Sequence, residues 1–309
     1  SPDVRGGMGG SEASLRRFTH YDYWQDKLMP NILELSGADF LTYGMGEKVT
    51  VDLADALNEG RPQDILTMKQ VAFLTKEVPG GITDNDKVLA SHEQCLADKR
   101  SQAANFRIIE EESNMIEAHR IIQPTGKQYV VVNPPYPPLT TPELDAIYDL
   151  PYTRLPHPRY NGKRIPAYEM IRHSVTIHRG CYGGCSFCTI SAHQGKQIVS
   201  RSRESILREL RQITQMEDFK GYVSDLGGPS ANMYGTGGRD KNKCLHCKRP
   251  TCLTPKVCPN LGTDLTALTQ LYKDADRVPG IKKTCIGSGI RYDILQYRDP
   301  DPKADKSHL

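Results

Sequence analysis

Apolar positions in the first sixty residues follow two spacings, and each spacing predicts one type of element. Residues 38–43 form a short, mostly apolar run, which predicts a buried strand. Apolar residues at 49, 51, 53, 54 and 57 have helical spacing, and Gly60 marks the end of that helix. The glycine turn at 44–46 joins the two, so an α/β unit is expected. Such a turn suits either a plain connection or a ligand's phosphate.

Residues 61–165 give weaker signals. Residues 105–122 have helical spacing with many charges, which predicts a solvated helix, and 128–132 predict a strand. The proline-rich run 133–138 predicts a stiff extended connector, and Thr141 predicts an N-cap with Pro142 following it. We therefore expect an N-terminal α/β domain, doubly wound-like, with its connector at 1–165, and a second domain at 166–309.

A repeating strand–helix pattern begins near residue 172. Strands are predicted at 174–178, 221–224 and 281–286, with helices around 206–213 and 265–272 and a cap at Ser202. Such repetition predicts a parallel sheet with right-handed crossovers. Functional residues gather at the carboxyl ends of parallel strands. The three strands are followed by a cysteine loop at 180–188 and by glycine turns at 227–228 and 287–289, so these are expected to meet at one edge.

The cysteine loop carries the most specific chemical signal. Cys181, Cys185 and Cys188 are spaced C-x3-C-x2-C, and Phe187 precedes the last of them. Three thiolates can hold three irons of a [4Fe–4S] cluster and leave the fourth iron open for a ligand. Two alternatives stand beside this interpretation: zinc with His178 or His193 as a fourth ligand, and plain buried thiols.

Composition narrows the class of protein. The chain has 309 residues, a net charge of +3 and 38% hydrophobic residues, without an apolar stretch long enough to span a membrane. A charge this mild does not support a nucleic-acid partner. Eight of the nine cysteines lie after residue 180. Clustered cysteines in a chain this long, without a secretory leader, favour metal binding in a reducing cytoplasm.

The motifs together resemble the YgiQ family of radical S-adenosylmethionine (SAM) proteins. The resemblance implies a [4Fe–4S] cluster on the cysteine triplet, whose open iron chelates SAM and whose electron cleaves it to a 5′-deoxyadenosyl radical. It also implies a reductant such as flavodoxin or ferredoxin, and leaves the substrate and any catalytic side chain unassigned. The segments that carry it are GGSEASLRRFTHYDYW, YGMGEK, VNPPYPPLT, LPHPRY, IPAYEMIRHSVTIHRGCYGGCSFC, SDLGGPSANMY and CPNLGTD.

The same resemblance implies a set of cofactor contacts. Phe187 would shield the cluster near the adenine, and Gly227 and Gly228 would bind the amino group of SAM, although Pro229 stands where the family motif has an acid. Ser288 would contact the ribose. Arg291 would pair with the carboxylate, or alternatively with Asp293.

The chain contains fewer βα units than the family pattern requires. A radical SAM core needs about six βα units, and only three are recognisable after residue 172. The first residue is Ser1 rather than Met, so we expect a piece of a longer protein with a partial (βα)6 barrel. Residues 1–60 would be the tail of a cobalamin-binding-like domain, but a D-x-H-x-x-G motif is missing, so cobalamin itself is not expected.

A second cysteine set lies in a predicted insertion at 240–260. Four thiolates in this spacing suit a zinc site or an auxiliary iron–sulfur cluster equally well. Cys95 and Cys285 lie apart and are predicted to be core thiols. The rival functions are a zinc-ribbon binding module and an iron–sulfur electron carrier without SAM chemistry. The members of the set are Cys244, Cys247, Cys252 and Cys258.

Overall fold

The computed structural model describes residues 6–299. The chain forms two compact units, and each draws on several segments of the sequence. Unit one contains the chain up to Pro137 together with Gly183–Lys196 and Asp240–Cys252. Unit two contains Pro138–Tyr182, Gln197–Arg239 and the chain from Leu253 onward. Both are of mixed α/β composition, as the sequence predicts.

Unit one is built on a mixed sheet of six strands. The outermost pair at each edge is parallel, and the three pairs between them are antiparallel. The prediction of a doubly wound-like sheet is therefore wrong in its strand directions. Residues 121–132 form an antiparallel hairpin instead of two parallel strands joined by a crossover. From one edge to the other the strands are Gly7–Met8, Phe40–Thr42, Val71–Thr75, Gln128–Val132, Ile121–Thr125 and Lys87–Val88.

Alternation along the strand Gln128–Val132 shows how this sheet is covered on both faces. Val130 and Val132 belong to one apolar cluster, and Val131 belongs to a second. Successive side chains of a strand point to opposite faces, so the two clusters lie on opposite faces of the sheet. All three valines are buried, with at most 3% of the residue exposed.

The helices of unit one confirm one prediction and correct another. Glu47–Asn58 is helical where the spacing predicts it. The helix predicted at 105–122 is instead Lys99–Ser113, because Asp98 caps its start and residues 121–122 belong to a strand. The antiparallel hairpin of His20–Asp22 and Lys27–Met29 lies apart from the sheet. The remaining helical segments are Ser11–Leu15, Ile32–Ser36, Pro62–Thr67, His92–Ala97, Ile190–Gln194 and Asn242–Cys244.

Unit two has the predicted alternation of strands and helices. Ser174–Thr176 pairs in parallel with Asp225–Gly227, and Tyr222–Val223 pairs in parallel with Lys283–Thr284. Two short antiparallel pairs complete its strands: His178–Arg179 with Val199–Ser200, and Gly237–Gly238 with Leu261–Gly262. Its helical segments are Thr141–Tyr148, Pro158–Tyr160, Pro166–Ile171, Arg203–Thr214, Ala231–Met233, Thr266–Ala275 and Tyr292–Leu295.

The helix Arg203–Thr214 anchors the core of unit two. The Ser202 side chain accepts a hydrogen bond from Ser205 N, so the predicted cap is confirmed. Its apolar face, Ile206, Leu210 and Ile213, is fully buried against both parallel pairs. The capping prediction at Thr141 is off by one residue, because Thr140 supplies the cap.

Buried charged side chains contact each other next to the start of that helix. The guanidinium of Arg201 is fully buried, pairs with Glu209 and lies 4.2 Å from the centre of the Tyr148 ring. Arg154 pairs with the same carboxylate. Burial lowers the pKa of Arg201 to about 10. The network joins the helix Arg203–Thr214 to Tyr148 and Arg154, which precede the first strand of unit two.

The lone cysteines differ from each other. Cys95 is buried, as predicted, and burial raises the pKa of its thiol. Cys285 is only half-buried, because it follows the strand Lys283–Thr284 at the sheet edge, so its prediction as a core thiol is wrong. None of the helices in residues 6–299 combines the length and the apolar composition needed to cross a membrane.

Candidate cofactor site at the strand ends of unit two

The parallel strands of unit two end at one edge. The segment 222–227 lies between its two neighbours, pairing with Lys283–Thr284 at its start and with Ser174–Thr176 at its end. Backbone hydrogen bonds continue past the strands, from Leu226 N to Cys285 O at 2.9 Å and from Ile177 N to Gly227 O at 2.8 Å. The glycine turns and the start of the cysteine segment therefore leave the sheet at the same edge, where parallel sheets place their ligand sites.

Asp225 connects the second and third strand ends. Its Oδ1 accepts hydrogen bonds from Gly287 N at 2.8 Å, from Ser288 N at 3.1 Å and from Ser288 Oγ at 3.1 Å. One carboxylate oxygen thus fixes the whole 287–288 turn. No site role is predicted for Asp225 from the sequence, although it stands two residues before Gly227.

The backbone at Gly227 and Gly228 is packed too closely for any side chain. A Cβ atom added at Gly227 would lie 1.9 Å from Ser288 Oγ and 2.7 Å from Asp225 Oδ1. The amide of Gly228 donates a hydrogen bond to Ser288 Oγ at 3.3 Å. The structure therefore brings together Gly227, Gly228 and Ser288, three of the residues that the resemblance marks as SAM contacts.

His178 lies beside this turn with its ring fully buried. Its Cε1 would be 2.6 Å from a Cβ atom at Gly228, and neither ring nitrogen has a hydrogen-bond partner among the described residues. Burial lowers the pKa of His178 to about 4, so the imidazole is neutral near pH 7. A buried polar ring without partners is costly in a folded protein. It therefore marks a place where a ligand's polar group would be stabilised.

Asn232 fixes the backbone of Arg291, which follows the glycine turn at 287–289. This fully buried side chain accepts from Arg291 N at 2.9 Å and donates to Arg291 O at 2.8 Å. Both polar groups of the Arg291 backbone are thereby fixed. The sequence gives no periodic signal for Asn232, so its role emerges only from the fold.

Arg291 pairs with Asp293 in this structure. Arg291 Nε lies 3.0 Å from Asp293 Oδ1, and Arg291 Nη2 lies 2.5 Å from Asp293 Oδ2. The guanidinium lowers the pKa of Asp293. This is the alternative partner that the sequence offers for Arg291. A ligand carboxylate would have to compete with Asp293 for the same guanidinium.

The cysteine segment follows the first strand end. All three thiols of the triplet are half-buried, and Cys188 N donates to Cys185 O at 3.0 Å. Cys181 belongs to unit two, whereas Cys185 and Cys188 belong to unit one. Phe187 has 89% of its surface exposed, so its predicted role beside an adenine stays a prediction.

Two glycines set the backbone of the segment. Gly180 has φ +86° and Gly184 has φ +59°, conformations that other residues rarely adopt. In unit one, a Cβ atom at Gly184 would lie 2.7 Å from Thr251 Cβ and 2.8 Å from Pro250 O. Any side chain at Gly184 would therefore clash with Pro250 and Thr251.

The donors of the segment fit an iron–sulfur cluster by chemistry. Thiolates are the ligands that such clusters require. Within residues 6–299, no three His, Cys, Asp or Glu side chains are grouped closely enough to hold a metal ion. The ligand set of the cysteine triplet therefore stays a prediction from the sequence.

Most of the second cysteine set lies in unit one. The segment from Asp240 to Cys252 joins the end of the long helix through Leu245 O, which accepts from Ile116 N at 2.9 Å and from Glu117 N at 3.0 Å. Cys258 belongs to unit two. The prediction of one contiguous insertion at 240–260 is therefore not reproduced as a single structural element.

A buried lysine holds the middle of that segment. The ammonium group of Lys196 lies 2.6 Å from Arg249 O and 3.5 Å from Cys247 Sγ, and only 4% of the residue is exposed. A buried ammonium needs such acceptors. Lys196 thereby ties residues 247–249 to the end of Gly183–Lys196, and the sequence analysis does not identify it.

Comparison with known proteins identifies the family. The family model described as Radical SAM N-terminal matches residues 2–174. The chain is similar to UPF0313 proteins of Bacteroides thetaiotaomicron, with 56% identity over 99% of this chain and 51% of the relative, and of Porphyromonas gingivalis, with 58% identity over 99% and 49%. The corresponding protein of Methanocella arvoryzae is 47% identical over 93% of this chain and 47% of its own length. The chain thus spans about half the length of these relatives.

Proposed function

Because the chain belongs to the Radical SAM N-terminal family, we propose that it forms part of an enzyme that cleaves SAM reductively. The single observation that carries this proposal is the turn around Gly228 in unit two. There the backbone of Gly227 and Gly228, the Ser288 hydroxyl and the buried His178 ring come together at the edge where the cysteine segment begins. The two His178 ring nitrogens, which have no partner among the described residues, would be stabilised by the polar groups of a small cofactor bound next to these fixed turns.

Cys181, Cys185 and Cys188 would hold a [4Fe–4S] cluster, and their half-buried thiols suit that role. When bound, such a cluster supplies one electron and one open iron position for SAM, from which methionine and a 5′-deoxyadenosyl radical result. Gly184 supports this assignment, since the segment passes too close to Pro250 and Thr251 for a side chain there.

The remaining residues would bind and orient SAM. The backbone of Gly227 and Gly228 would bind the amino group of SAM, and Asp225 holds the Ser288 hydroxyl against this turn. Arg291 would exchange Asp293 for the SAM carboxylate, since an exposed ion pair is weak enough to be replaced. The neutral His178 ring would accept or donate one hydrogen bond without adding charge.

The barrel would be completed by residues that this chain does not contain. Unit two supplies two parallel strand pairs and the helices that connect them. The relatives are about twice as long as the aligned region, which leaves room for further βα units. We place unit two as the first half of a (βα)6 barrel and unit one as its N-terminal partner domain.

The second cysteine set would hold zinc or an auxiliary iron–sulfur cluster through Cys244, Cys247, Cys252 and Cys258. Lys196 supports a metal role, because its ammonium lies near Cys247 Sγ and would offset thiolate charge. The reductant would be a flavodoxin or ferredoxin, and the location a reducing cytoplasm. The substrate is an organic molecule that yields an unactivated hydrogen to a carbon radical.

Product analysis tests the proposal. The anaerobically reconstituted chain, and separately a full-length relative, would be incubated with SAM and dithionite, and 5′-deoxyadenosine would be measured. We expect iron and sulfide at about four or more per chain, depending on whether the second cysteine set holds zinc or a cluster, and 5′-deoxyadenosine above the level of a Cys188→Ala variant. Stoichiometric zinc in place of iron in both proteins, without SAM cleavage, would contradict the proposal and favour a zinc module. Cleavage by the relative alone would show that the site needs the other half of the barrel.

A further inference from the structure

Arg17 of unit one is a buried arginine without an acidic partner in the described part of the chain. Arg17 is 7% exposed, and its Nε has no hydrogen-bond partner among residues 6–299. One face of the guanidinium lies 4.0 Å from the centre of the Tyr43 ring, which compensates only part of the lost hydration. Burial lowers the pKa of Arg17, and Tyr43 opposes that change. A buried charge is normally paired, so an anion bound at the edge of this guanidinium would stabilise it.

The arginine lies where two parallel strands end. Gly7–Met8 and Phe40–Thr42 pair in parallel at the edge of the six-stranded sheet, and each is followed by a glycine turn. A Cβ atom at Gly9 would lie 2.9 Å from Thr42 Oγ1, so the first turn passes close to the second strand. Tyr43, which supports Arg17, is the first residue after that strand. Carboxyl ends of neighbouring parallel strands are the usual place for a ligand.

Ser14 joins the two turns to a histidine. Its Oγ accepts from Gly44 N at 2.9 Å, donates to Gly10 O at 3.1 Å and lies 2.9 Å from His193 Nδ1. Burial lowers the pKa of His193, and the charge of Arg17 lowers it further. The guanidinium is therefore close enough to the Ser14–His193 pair to act on it electrostatically.

The second turn also opens a long helix. Glu47–Asn58 starts after Gly46 without a side-chain hydrogen bond to cap it, and Glu47 is an acidic residue in its first turn. The first amides of an uncapped helix have no partner within the helix, and its dipole favours negative charge. Gln70 holds the turn in place, because its Nε2 donates to Met45 O. The helix start and the Arg17 guanidinium thus flank the same turn, 43–46.

We propose that the turns at 9–10 and 43–46 of unit one bind an oxyanion, the phosphate or carboxylate group of a small metabolite, with Arg17 as its charged partner. The planar guanidinium forms charge-assisted hydrogen bonds with either group. Ser14, His193 and the first amides of Glu47–Asn58 supply neutral polar contacts around it. The site belongs to unit one alone and does not depend on the cluster proposed above.

Anion titrations test the site. The 309-residue chain, in a reducing buffer free of phosphate, would be titrated with inorganic phosphate and in a separate arm with acetate, at constant ionic strength set with chloride. Thermal unfolding reports binding, since a ligand of the folded state raises Tm. We expect a saturable rise in one arm, and that arm identifies the phosphate or the carboxylate as the ligand group.

Two variants assign the effect to Arg17. Arg17→Met keeps the side-chain volume, and we expect it to raise the dissociation constant at least about tenfold, because charge-assisted hydrogen bonds are lost. Arg16→Met is the matched control, since Arg16 already pairs with Glu12 at 2.6 Å and with Asp22 at 3.5 Å. It should bind as the wild type does.

The outcomes separate clearly. A rise in Tm that survives in Arg17→Met, or the absence of any rise beyond that of chloride in both arms, would overturn the proposal. Should Arg17→Met fail to fold, Arg17→Lys serves instead, because it retains the charge but loses the planar fork. Weaker binding in Arg17→Lys supports the site, whereas unchanged binding contradicts it.

Discussion

His178 and Gly228 require each other. The imidazole Cε1 would stand 2.6 Å from a Cβ atom at Gly228, and the His178 carbonyl oxygen would stand 3.0 Å from it. The two residues follow neighbouring parallel strands, so the ring can be buried only because Gly228 has no side chain. The result is a neutral imidazole packed against the Gly228 backbone, and its ring nitrogens have no hydrogen-bond partner among residues 6–299.

Gly227→Ala should disrupt the hydrogen bonds by which Asp225 holds the turn at 287–288. The new methyl would collide with Ser288 Oγ and Asp225 Oδ1 and force them apart. Overpacking of this kind costs about 1–3 kcal/mol of the free energy of unfolding, measurable by urea denaturation. Gly262→Ala is the control, because its Cβ would have ordinary contacts at 3.4 Å and beyond. Equal loss of stability in the two variants would contradict the described packing.

His178 should make stability depend on pH between about 6.5 and about 4. The unfolded chain protonates this histidine near pH 6.5, whereas the folded chain does so only near pH 4. Lowering the pH through this window therefore favours the unfolded state, and the free energy of unfolding should fall by up to about 3 kcal/mol. Above pH 7 both states are neutral and the effect vanishes.

Substitutions separate the contribution of His178 to the pH dependence of stability from that of the Asp and Glu side chains, which also titrate in acid. His178→Gln should lose the histidine's share of the fall, whereas His246→Gln should retain it, since His246 is 65% exposed. Urea denaturation of the metal-free chain at several pH values between 4 and 7.5 gives both curves. Parallel curves for wild type and His178→Gln would mean that the ring is solvated.

Arg291 and Asp293 should have opposite effects on SAM binding. Asp293 competes for the guanidinium, so Asp293→Asn should tighten SAM binding by a few-fold and Arg291→Gln should weaken it about tenfold. Neither change should alter the free energy of unfolding by more than about 1 kcal/mol, because exposed ion pairs contribute little. Isothermal titration with SAM on the reconstituted protein gives the dissociation constants. Weaker binding in both variants would show that the pair acts as a unit, against the exchange of partners argued here.

The sequence predicts those elements of the fold that depend on local spacing. The helix Arg203–Thr214 follows from Ile206, Leu210 and Ile213, whose burial matches their period, and from the Ser202 cap. Strand directions do not follow from spacing. Val71–Thr75 lies between antiparallel neighbours that are distant in sequence, so only the assembled sheet reveals that unit one is mixed.

The candidate site divides in the same way. Gly227, Gly228 and Ser288 could be named from the chain, because the family resemblance marks them and their turns follow predicted parallel strands. Asp225, Asn232 and Lys196 could not be, since each acts through hydrogen bonds to backbone that lies 53 to 63 residues away in sequence. Buried polar residues of this kind have no period, and their partners are set by the fold.

Electron paramagnetic resonance on the anaerobically reconstituted, dithionite-reduced protein tests the central claim most directly. The account predicts a [4Fe–4S]+ signal that changes when SAM is added and that is lost in Cys185→Ala, while Cys95→Ala, which alters a buried thiol outside the triplet, keeps it. A cluster signal that is indifferent to SAM in both this chain and a full-length relative would contradict the account. The iron would then have no open position for the cofactor.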